Sequence, residues 1–200
     1  MSNPVRGGFA FDWLMKYHQF ETVLDVGSGG EVHQNDVGSY FQRAGKVWKT
    51  LNLYPPADYV CRFPEQVPVG ESFDVVWCSH VLEHATDVQR FLQAAVSLAK
   101  PEGLLVIVVP NNERERVLGG HLNAFNEGRL LYNMAVAGID CSQAHVKRQQ
   151  WETAVITPPL RFDVDALPLR MDNGDIELLA PYFPMPVKQG MNGQIEGVNW

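Results

Sequence analysis

The chain has 200 residues, 46% of them apolar and 10% aromatic, which is enough to bury a core within one domain. Its formal net charge of −7 disfavours a non-specific hold on nucleic acid phosphates or anionic lipid. The first residues do not resemble a secretory signal, no apolar run approaches about 18 residues, and the three cysteines form no C-x-x-C pair. We therefore expect a cytoplasmic protein that binds neither nucleic acid nor membrane.

The first half of the chain alternates between helical and extended patterns. Residues 9–20 read as a short apolar-rich helix, and TVLDV at 22–26 predicts a strand that ends abruptly at the glycines of GSGG. A second strand is predicted at 46–53, because Pro55 cannot continue a ladder beyond it. A short third strand is expected at 58–63.

The middle of the chain contains the most apolar stretch. FDVVWCS at 73–79 is nearly all apolar or small, which is typical of a central parallel strand covered on both faces. Thr86 and Gln89 match a capping box, which predicts a helix through DVQRFLQAAVSLAK. Pro101 and Gly103 are expected to end that helix.

The alternation continues to residue 157. LLVIVVP at 104–110 predicts another buried strand, and a helix should follow from Asn126 to a Gly138 cap. Two last strands, at 141–148 and 152–157, are expected to pair antiparallel. The pattern predicts an α/β, Rossmann-like, doubly wound fold: a mostly parallel seven-stranded sheet with an antiparallel last strand and helices on both faces.

The composition changes after residue 157. Residues 158–200 are rich in proline and glycine and show no sustained period, so we expect an irregular extension following a domain at 1–157. Its apolar side chains predict packing on that domain or on a second subunit, which would form a homodimer; they are Leu179, Tyr182, Phe183, Met185 and Trp200.

The segment HVLEH at 80–84 satisfies H-x-x-E-H, a zinc-hydrolase pattern. If the segment were helical, His80 and His84 would share a face and bind zinc, while Glu83 activated water. A third ligand and a long helix would also be needed. Asp87 beginning a new helix disfavours this hypothesis.

The glycine turn after the first strand predicts a ligand site. Gly27 and Gly29 allow a ligand to approach the backbone at the carboxyl edge of the sheet, beside Asp25. Residue 32 is Val32 rather than the third glycine of a dinucleotide fingerprint, which disfavours a nicotinamide or flavin cofactor.

From residue 22 to about 140 the chain resembles class I S-adenosylmethionine-dependent methyltransferases of the small-molecule type. The matching segments are VLDVGSGG, LNLYPPADYV, FDVVWCSHVLEHATDVQRFL, AKPEGLLVIVVPN and HLNAFNEGRLLYNMAVAGID, in the order and spacing of that family. The resemblance implies S-adenosylmethionine as cofactor, a small metabolite or sugar-like acceptor, and no metal at HVLEH.

The resemblance also implies which residues contact the cofactor. Asp25 and the glycine turn would hold the amino acid portion, Asn52 the ribose, and Arg62 with its neighbour the adenine. The full implied set is Asp25, Gly27, Ser28, Gly29, Asn52, Leu53, Arg62, Phe63, Ser79 and His80. Asn52 replaces the usual carboxylate, Arg62 cannot accept the adenine amino proton, and Glu31 stands where some relatives have glycine.

An oxygen or nitrogen acceptor must lose a proton during methyl transfer, and imidazole titrates near working pH. His121 is the first candidate base because it precedes the helix expected at 126, and His84 is the second. His80 is the remaining candidate base. Because of the substitutions at 31, 52 and 62, a non-catalytic binding protein with this fold stays open, and a zinc hydrolase is the remote alternative.

Overall fold

The computed structural model describes residues 5–29, 36–111, 118–187 and 200. Seven strands form a single sheet in the order β3-β2-β1-β4-β5-β7-β6. The strands are β1 (Thr22–Val26), β2 (Val47–Asn52), β3 (Tyr59–Val60), β4 (Phe73–Ser79), β5 (Ala99–Pro110), β6 (His145–Gln149) and β7 (Glu152–Thr157). The helices are α1 (Gly8–Tyr17), α2 (Val37–Arg43), α3 (Val88–Ser97), α4 (Glu127–Val136) and α5 (Asp175–Leu179).

The predicted fold class is confirmed. Strand β1 pairs in parallel with β2 and β4, and β4 pairs in parallel with β5. The last strand, β7, runs antiparallel to both β5 and β6. The strand order reverses between β1 and β4, so their carboxyl ends border the crevice where open α/β sheets bind ligands.

Side chains of the central strands alternate between two apolar layers. In β4, Val76 and Cys78 face the layer that contains α3 and α4, while Val75 and Trp77 face the layer that contains α1 and α2. All four side chains are fully buried. The continuous apolar run that predicted this strand therefore reflects burial on both faces.

Two local predictions around α3 are wrong. The side chain of Asp87, rather than that of Thr86, accepts the capping hydrogen bond from Arg90 N, and Gln89 instead donates to Asn133 on α4. The helix ends at Ser97, and β5 begins at Ala99 and runs through the positions expected to stop the helix. A register shift between β4 and β5 accommodates that irregular start.

Helix α2 has no counterpart in the sequence predictions. It spans seven residues and contributes Phe41 to the layer shared with α1. Gly38 lies directly beneath the indole of Trp48, where any side-chain carbon would collide. This helix is too short to show a clear hydrophobic period in the sequence, so its formation depends on packing against β2.

The described part of the C-terminal extension packs on its own chain. Leu179 and Phe183 are buried in the layer that contains α3 and α4, and Met185 lies against it. Tyr182 stacks on Phe162, and Trp200 contacts aromatic rings of α1. No helix among the described residues is both long and apolar enough to cross a membrane.

Candidate active site

A polar cavity of about 250 Å³ lies at the carboxyl ends of β1 and β4. Six residues predicted to bind a cofactor line it: Asp25, Gly27, Ser28, Gly29, Ser79 and His80. Gly27 has a φ of 80°, and a Cβ at that position would come within 2.6 Å of Val81. The turn therefore requires glycine both for its conformation and for space.

Asp25 is the buried carboxyl group of this cavity. Its side chain is 6% exposed, and Oδ2 accepts a 3.3 Å hydrogen bond from Trp48 Nε1. Burial raises the pKa of Asp25 to about 7, although the Trp48 hydrogen bond acts in the opposite direction. A cationic ligand group in the cavity would favour the ionised form.

His80 is held between two buried glutamates. Its Nε2 lies 2.7 Å from Glu152 Oε1, and its Nδ1 lies 3.5 Å from Glu83 Oε1. Burial alone lowers the pKa of His80, but the hydrogen bonds and negative charges of Glu152 and Glu83 together outweigh it and raise that pKa. Glu152 also accepts from Gly7 N at 3.1 Å, which ties the start of α1 to this cluster.

A second cavity, of about 310 Å³, adjoins the first because Gly27 lines both. It lies beyond β2 and includes four predicted cofactor residues: Asn52, Leu53, Arg62 and Phe63. Apolar side chains such as Leu51, Val81 and Phe91 supply much of its wall. The Phe63 and Phe91 rings meet edge to face at 4.9 Å, which fixes the position of Phe63.

Asn52 closes β2 at the mouth of the second cavity. Its Oδ1 accepts a 2.8 Å hydrogen bond from Leu53 N, so the side chain is held by the backbone of the next residue. Arg62 is exposed, and its backbone N–H donates to Gln66 Oε1 at 3.1 Å. Glu31, the third noted substitution, lies outside the described residues.

The two predicted bases, His84 and His121, lie side by side. Their ring centroids are 4.9 Å apart, with the rings nearly perpendicular. Only His84 lines the second cavity, and its Nδ1 lies 2.7 Å from the Gly120 carbonyl oxygen. Because a carbonyl only accepts, Nδ1 carries a proton, and in the neutral ring the lone pair is therefore on Nε2.

The helix required by the zinc-hydrolase hypothesis does not form. Within HVLEH, only Leu82–His84 is helical, as a single 3₁₀ turn, and His80 has a φ of 54°. His80 is paired with Glu152, on β7. The two histidines therefore do not share the face of an α-helix that the pattern presupposes.

The sequence predictions missed several residues in or next to the first cavity, among them Arg6, Trp48 and Glu152. Arg6 and Trp48 line it, and Glu152 holds His80 from the far end of the chain. Trp48 occupies an ordinary position within a strand pattern, and Glu152 is 72 residues from its partner. No local motif marks Trp48 or Glu152, so only their positions in the folded structure identify them.

The seven-stranded order, the glycine turn and a buried acidic side chain near the end of β1 are features of the α/β fold of class I methyltransferases. The methyltransferase domain family matches residues 20–107 of the chain, which include β1 to β4 and most of β5. The chain is similar to that family over these residues, in agreement with the resemblance that its sequence motifs indicated.

Curated relatives match over shorter stretches. A ubiquinone biosynthesis O-methyltransferase of Rhodopseudomonas palustris is 41% identical over 56 residues, covering 28% of this chain and 22% of the relative. The enzyme of the same name from Paramagnetospirillum magneticum is 33% identical over 104 residues, covering 46% of this chain and 42% of the relative. The chain thus spans less than half the length of these relatives.

Solved structures share the fold at low identity. A Burkholderia thailandensis 1,6-didemethyltoxoflavin-N1-methyltransferase, bound to 1,6-didemethyltoxoflavin and S-adenosylhomocysteine, has a TM-score of 0.55 at 18% identity and covers 74% of each chain. A TehB-like methyltransferase from Corynebacterium glutamicum has a TM-score of 0.53 at 14% identity, covering 78% of this chain and 88% of its own.

Proposed function

We propose that this protein transfers a methyl group from S-adenosylmethionine to a small-molecule acceptor, such as a metabolite or a sugar-like compound. The observation that carries this proposal is the pair of adjoining cavities, one polar and one largely apolar, that meet at Gly27 on the carboxyl edge of the sheet. The named activities of the curated relatives favour an oxygen as the acceptor atom.

The chemistry of the two cavities fits the cofactor. Asp25 offers a carboxylate for an ammonium group, and the hydroxyls of Ser28 and Ser79 are buried without a partner among the described residues. Nothing described lies within 4 Å of a Cβ built on Gly29, so the turn leaves room beside it. In the second cavity, Asn52 would meet the ribose hydroxyls and Phe63 the adenine.

S-adenosylmethionine, when bound, supplies an electrophilic methyl group. The protein must align the acceptor with it, because an in-line displacement depends strongly on orientation. We propose His121 and His84 as the residues that accept the acceptor's proton. Their proximity to each other, and the lone pair on His84 Nε2, support this role.

Calorimetric titration with S-adenosylhomocysteine tests the cofactor site. Wild type should bind it, and Gly27→Ala should abolish binding because the new Cβ meets Val81. Gly45→Ala is the matched control: Gly45 has a similar φ of 71° but nothing within 4 Å of its Cβ position. Gly45→Ala should therefore bind like wild type. No wild-type binding at millimolar ligand would refute the proposal.

A non-catalytic binding protein is the second candidate, favoured by Asn52 and the exposed Arg62 at the second cavity. The two candidates differ in turnover rather than in cofactor binding. Production of S-adenosylhomocysteine with a panel of hydroxylated acceptors would support the enzyme. Binding without turnover on any acceptor of the panel would support the alternative.

We further propose that residues 1–157 form the methyltransferase domain and that 158–200 are an extension of it. The described part of the extension lines neither cavity, and its buried apolar residues lie on the domain itself. A homodimer remains a proposal, which the mass of the particle in solution tests. The free thiols of Cys61, Cys78 and Cys141 support a reducing compartment such as the cytoplasm.

A further inference from the structure

We propose that Glu83, His84 and His121 form a binding site for a divalent transition-metal ion beside the cofactor cleft. One ligand atom from each side chain lies within 4.8 Å of the other two. Ligands of a tetrahedral zinc ion are about 3.4 Å apart, because Zn–N and Zn–O bonds are about 2.0–2.1 Å long. Small side-chain rotations would therefore close the three groups onto one ion.

The buried carboxylate of Glu83 is the strongest independent sign of a cation. The side chain is 1% exposed, and its Oε2 has no hydrogen-bond partner among the described residues. Its Oε1 is 3.5 Å from His80 Nδ1 and 3.9 Å from His84 Nε2. A buried carboxylate with one oxygen unsatisfied is costly, and a metal ion would satisfy it.

The imidazole of His84 already has the tautomer that a metal requires. Its Nδ1 donates to the Gly120 carbonyl at 2.7 Å, which leaves the lone pair on Nε2, the nitrogen nearer Glu83. Metal-binding histidines commonly make this hydrogen bond through their other ring nitrogen, because it fixes the ring and raises its basicity. The ring is also 45% exposed, so an ion can reach it.

His121 is placed by the backbone of the segment that carries it. Leu122 N and Asn123 N both donate to the Glu83 carbonyl, at 2.8 and 3.1 Å, and the Asn123 side chain donates to the Ala85 carbonyl at 2.7 Å. These bonds hold the segment against the 3₁₀ turn. The Nδ1 atom of His121 is buried without a partner among the described residues, so this ring also has unused bonding capacity.

Two imidazoles and one carboxylate are a donor set for zinc, iron, cobalt or manganese rather than for calcium or magnesium, which prefer oxygen. Three protein ligands leave at least one position open. His84 lines the second cavity, so that position would be accessible from the cleft. If the proposed function is correct, the ion would bind the acceptor hydroxyl and make it more acidic. With the ion bound, His84 and His121 would act as its ligands rather than as bases, and the hydroxyl proton would pass to water.

This site differs from the one that H-x-x-E-H predicts. In that pattern the two histidines of a helix bind the ion and the glutamate activates water. Here Glu83 is itself a ligand, and the second histidine comes from residue 121, which no local pattern connects to the segment. His80 is engaged by Glu152 and is not a member of the group.

Zinc titration of the full-length, chelator-treated protein, prepared without a polyhistidine tag, tests the proposal. We expect one zinc per chain by calorimetry, with a micromolar or tighter Kd. His84→Ala and His121→Ala should each weaken binding at least about thirtyfold, and Glu83→Gln should do so without changing side-chain volume. Because His84 is 45% exposed, its removal should leave the fold intact, which circular dichroism checks.

His18→Ala is the matched control, since His18 lies before β1 and outside the group. Co²⁺ should give visible d–d absorption in wild type and in His18→Ala, and lose it in His84→Ala. No bound zinc, or equal zinc affinity in wild type and His84→Ala, would overturn the proposal. These measurements use no cofactor, so a failure to bind S-adenosylhomocysteine would refute the proposed function and leave the metal site standing.

Discussion

The two cavities of the cleft differ in how they are built. The first is formed by buried central strands and contains polar groups with few partners, including Asp25 and the hydroxyls of Ser28 and Ser79. The second lies toward the edge of the sheet, beside the two-residue β3, and has a more apolar and more exposed wall. We therefore expect a charged ligand group to be recognised in the first cavity, where burial strengthens electrostatic interactions. We expect apolar contacts to dominate in the second cavity, at the edge of the sheet.

This contrast predicts that the first cavity tolerates substitution less than the second. In the first, Asp25 is the buried carboxyl group, and Asp36, the other carboxyl group that lines the cavity, is less buried and should compensate only weakly for its loss. In the second, many weak contacts contribute together, so single changes such as Asn52 and Arg62 alter affinity without abolishing it.

The largest effect is expected from Asp25→Asn. Loss of a buried charge-assisted contact should weaken S-adenosylhomocysteine binding about a hundredfold in calorimetry. Because burial raises the pKa of Asp25 to about 7, the carboxyl group costs folded-state stability that grows from the unfolded-state pKa of about 3.9 up to about pH 7 and is complete above it. The melting temperature of Asp25→Asn at pH 8 should therefore not fall below that of wild type. A loss of stability that accompanies the loss of affinity would contradict the contrast between the two cavities.

The pH dependence of S-adenosylhomocysteine binding is a second test of the charge on Asp25. Asp25 must be ionised to pair with an ammonium group, and its pKa in the free protein is about 7. Affinity should therefore rise about twentyfold from pH 5.5 to 7.5 and then level off. Titrations of wild type and Asp25→Asn across this range check it: the variant should show no such rise, and an unchanged slope would assign the effect to another group.

A smaller effect, which is a gain in affinity, is expected in the second cavity. Asn52→Asp should tighten S-adenosylhomocysteine binding about fivefold, because a carboxylate accepts from both ribose hydroxyls and charge-assisted hydrogen bonds are stronger. The backbone contact to Leu53 N can be kept by the new side chain. Asn52→Ala is the partner variant and should bind more weakly than wild type. A gain-of-affinity result cannot arise from misfolding, whereas weaker binding by Asn52→Asp would remove Asn52 from the ribose site.

The smallest effect on binding is expected from Asp74→Asn, at the start of β4 and therefore at the end of that strand remote from the cleft. Asp74 accepts from Thr22 N, Glu21 N and Lys100 Nζ at 2.8–3.0 Å. Partial burial alone raises the pKa of Asp74, but those hydrogen bonds together outweigh it and lower that pKa. Urea unfolding should show a loss of about 1–2 kcal/mol at pH 7 with unchanged ligand affinity.

The sign of the Asp74 effect with pH is set by its lowered pKa. The carboxylate stabilises the folded state above the unfolded-state pKa of about 3.9, and this contribution is lost as the pH falls below that value. Wild type and variant should therefore converge in stability in acid. A constant difference between them down to pH 3 would show that charge is not the cause.

The sequence by itself determined the succession of the strands along the chain, the glycine turn and the side chains at the ends of β1 and β4. These features follow from local rules: burial on both faces makes a strand continuously apolar, and a positive φ demands glycine. The family motifs then predicted ten cofactor-binding residues. All ten line at least one of the two cavities, and their roles stay predictions.

Only the tertiary structure decided the rest. Asp87 caps α3 because its side chain reaches Arg90 N, and β5 starts early because pairing with β4 overrides the proline and glycine in its first residues. The proximity of Glu83, His84 and His121 depends on backbone bonds between segments about 40 residues apart. Such contacts carry no local period, because they are selected by chain packing rather than by neighbours in sequence.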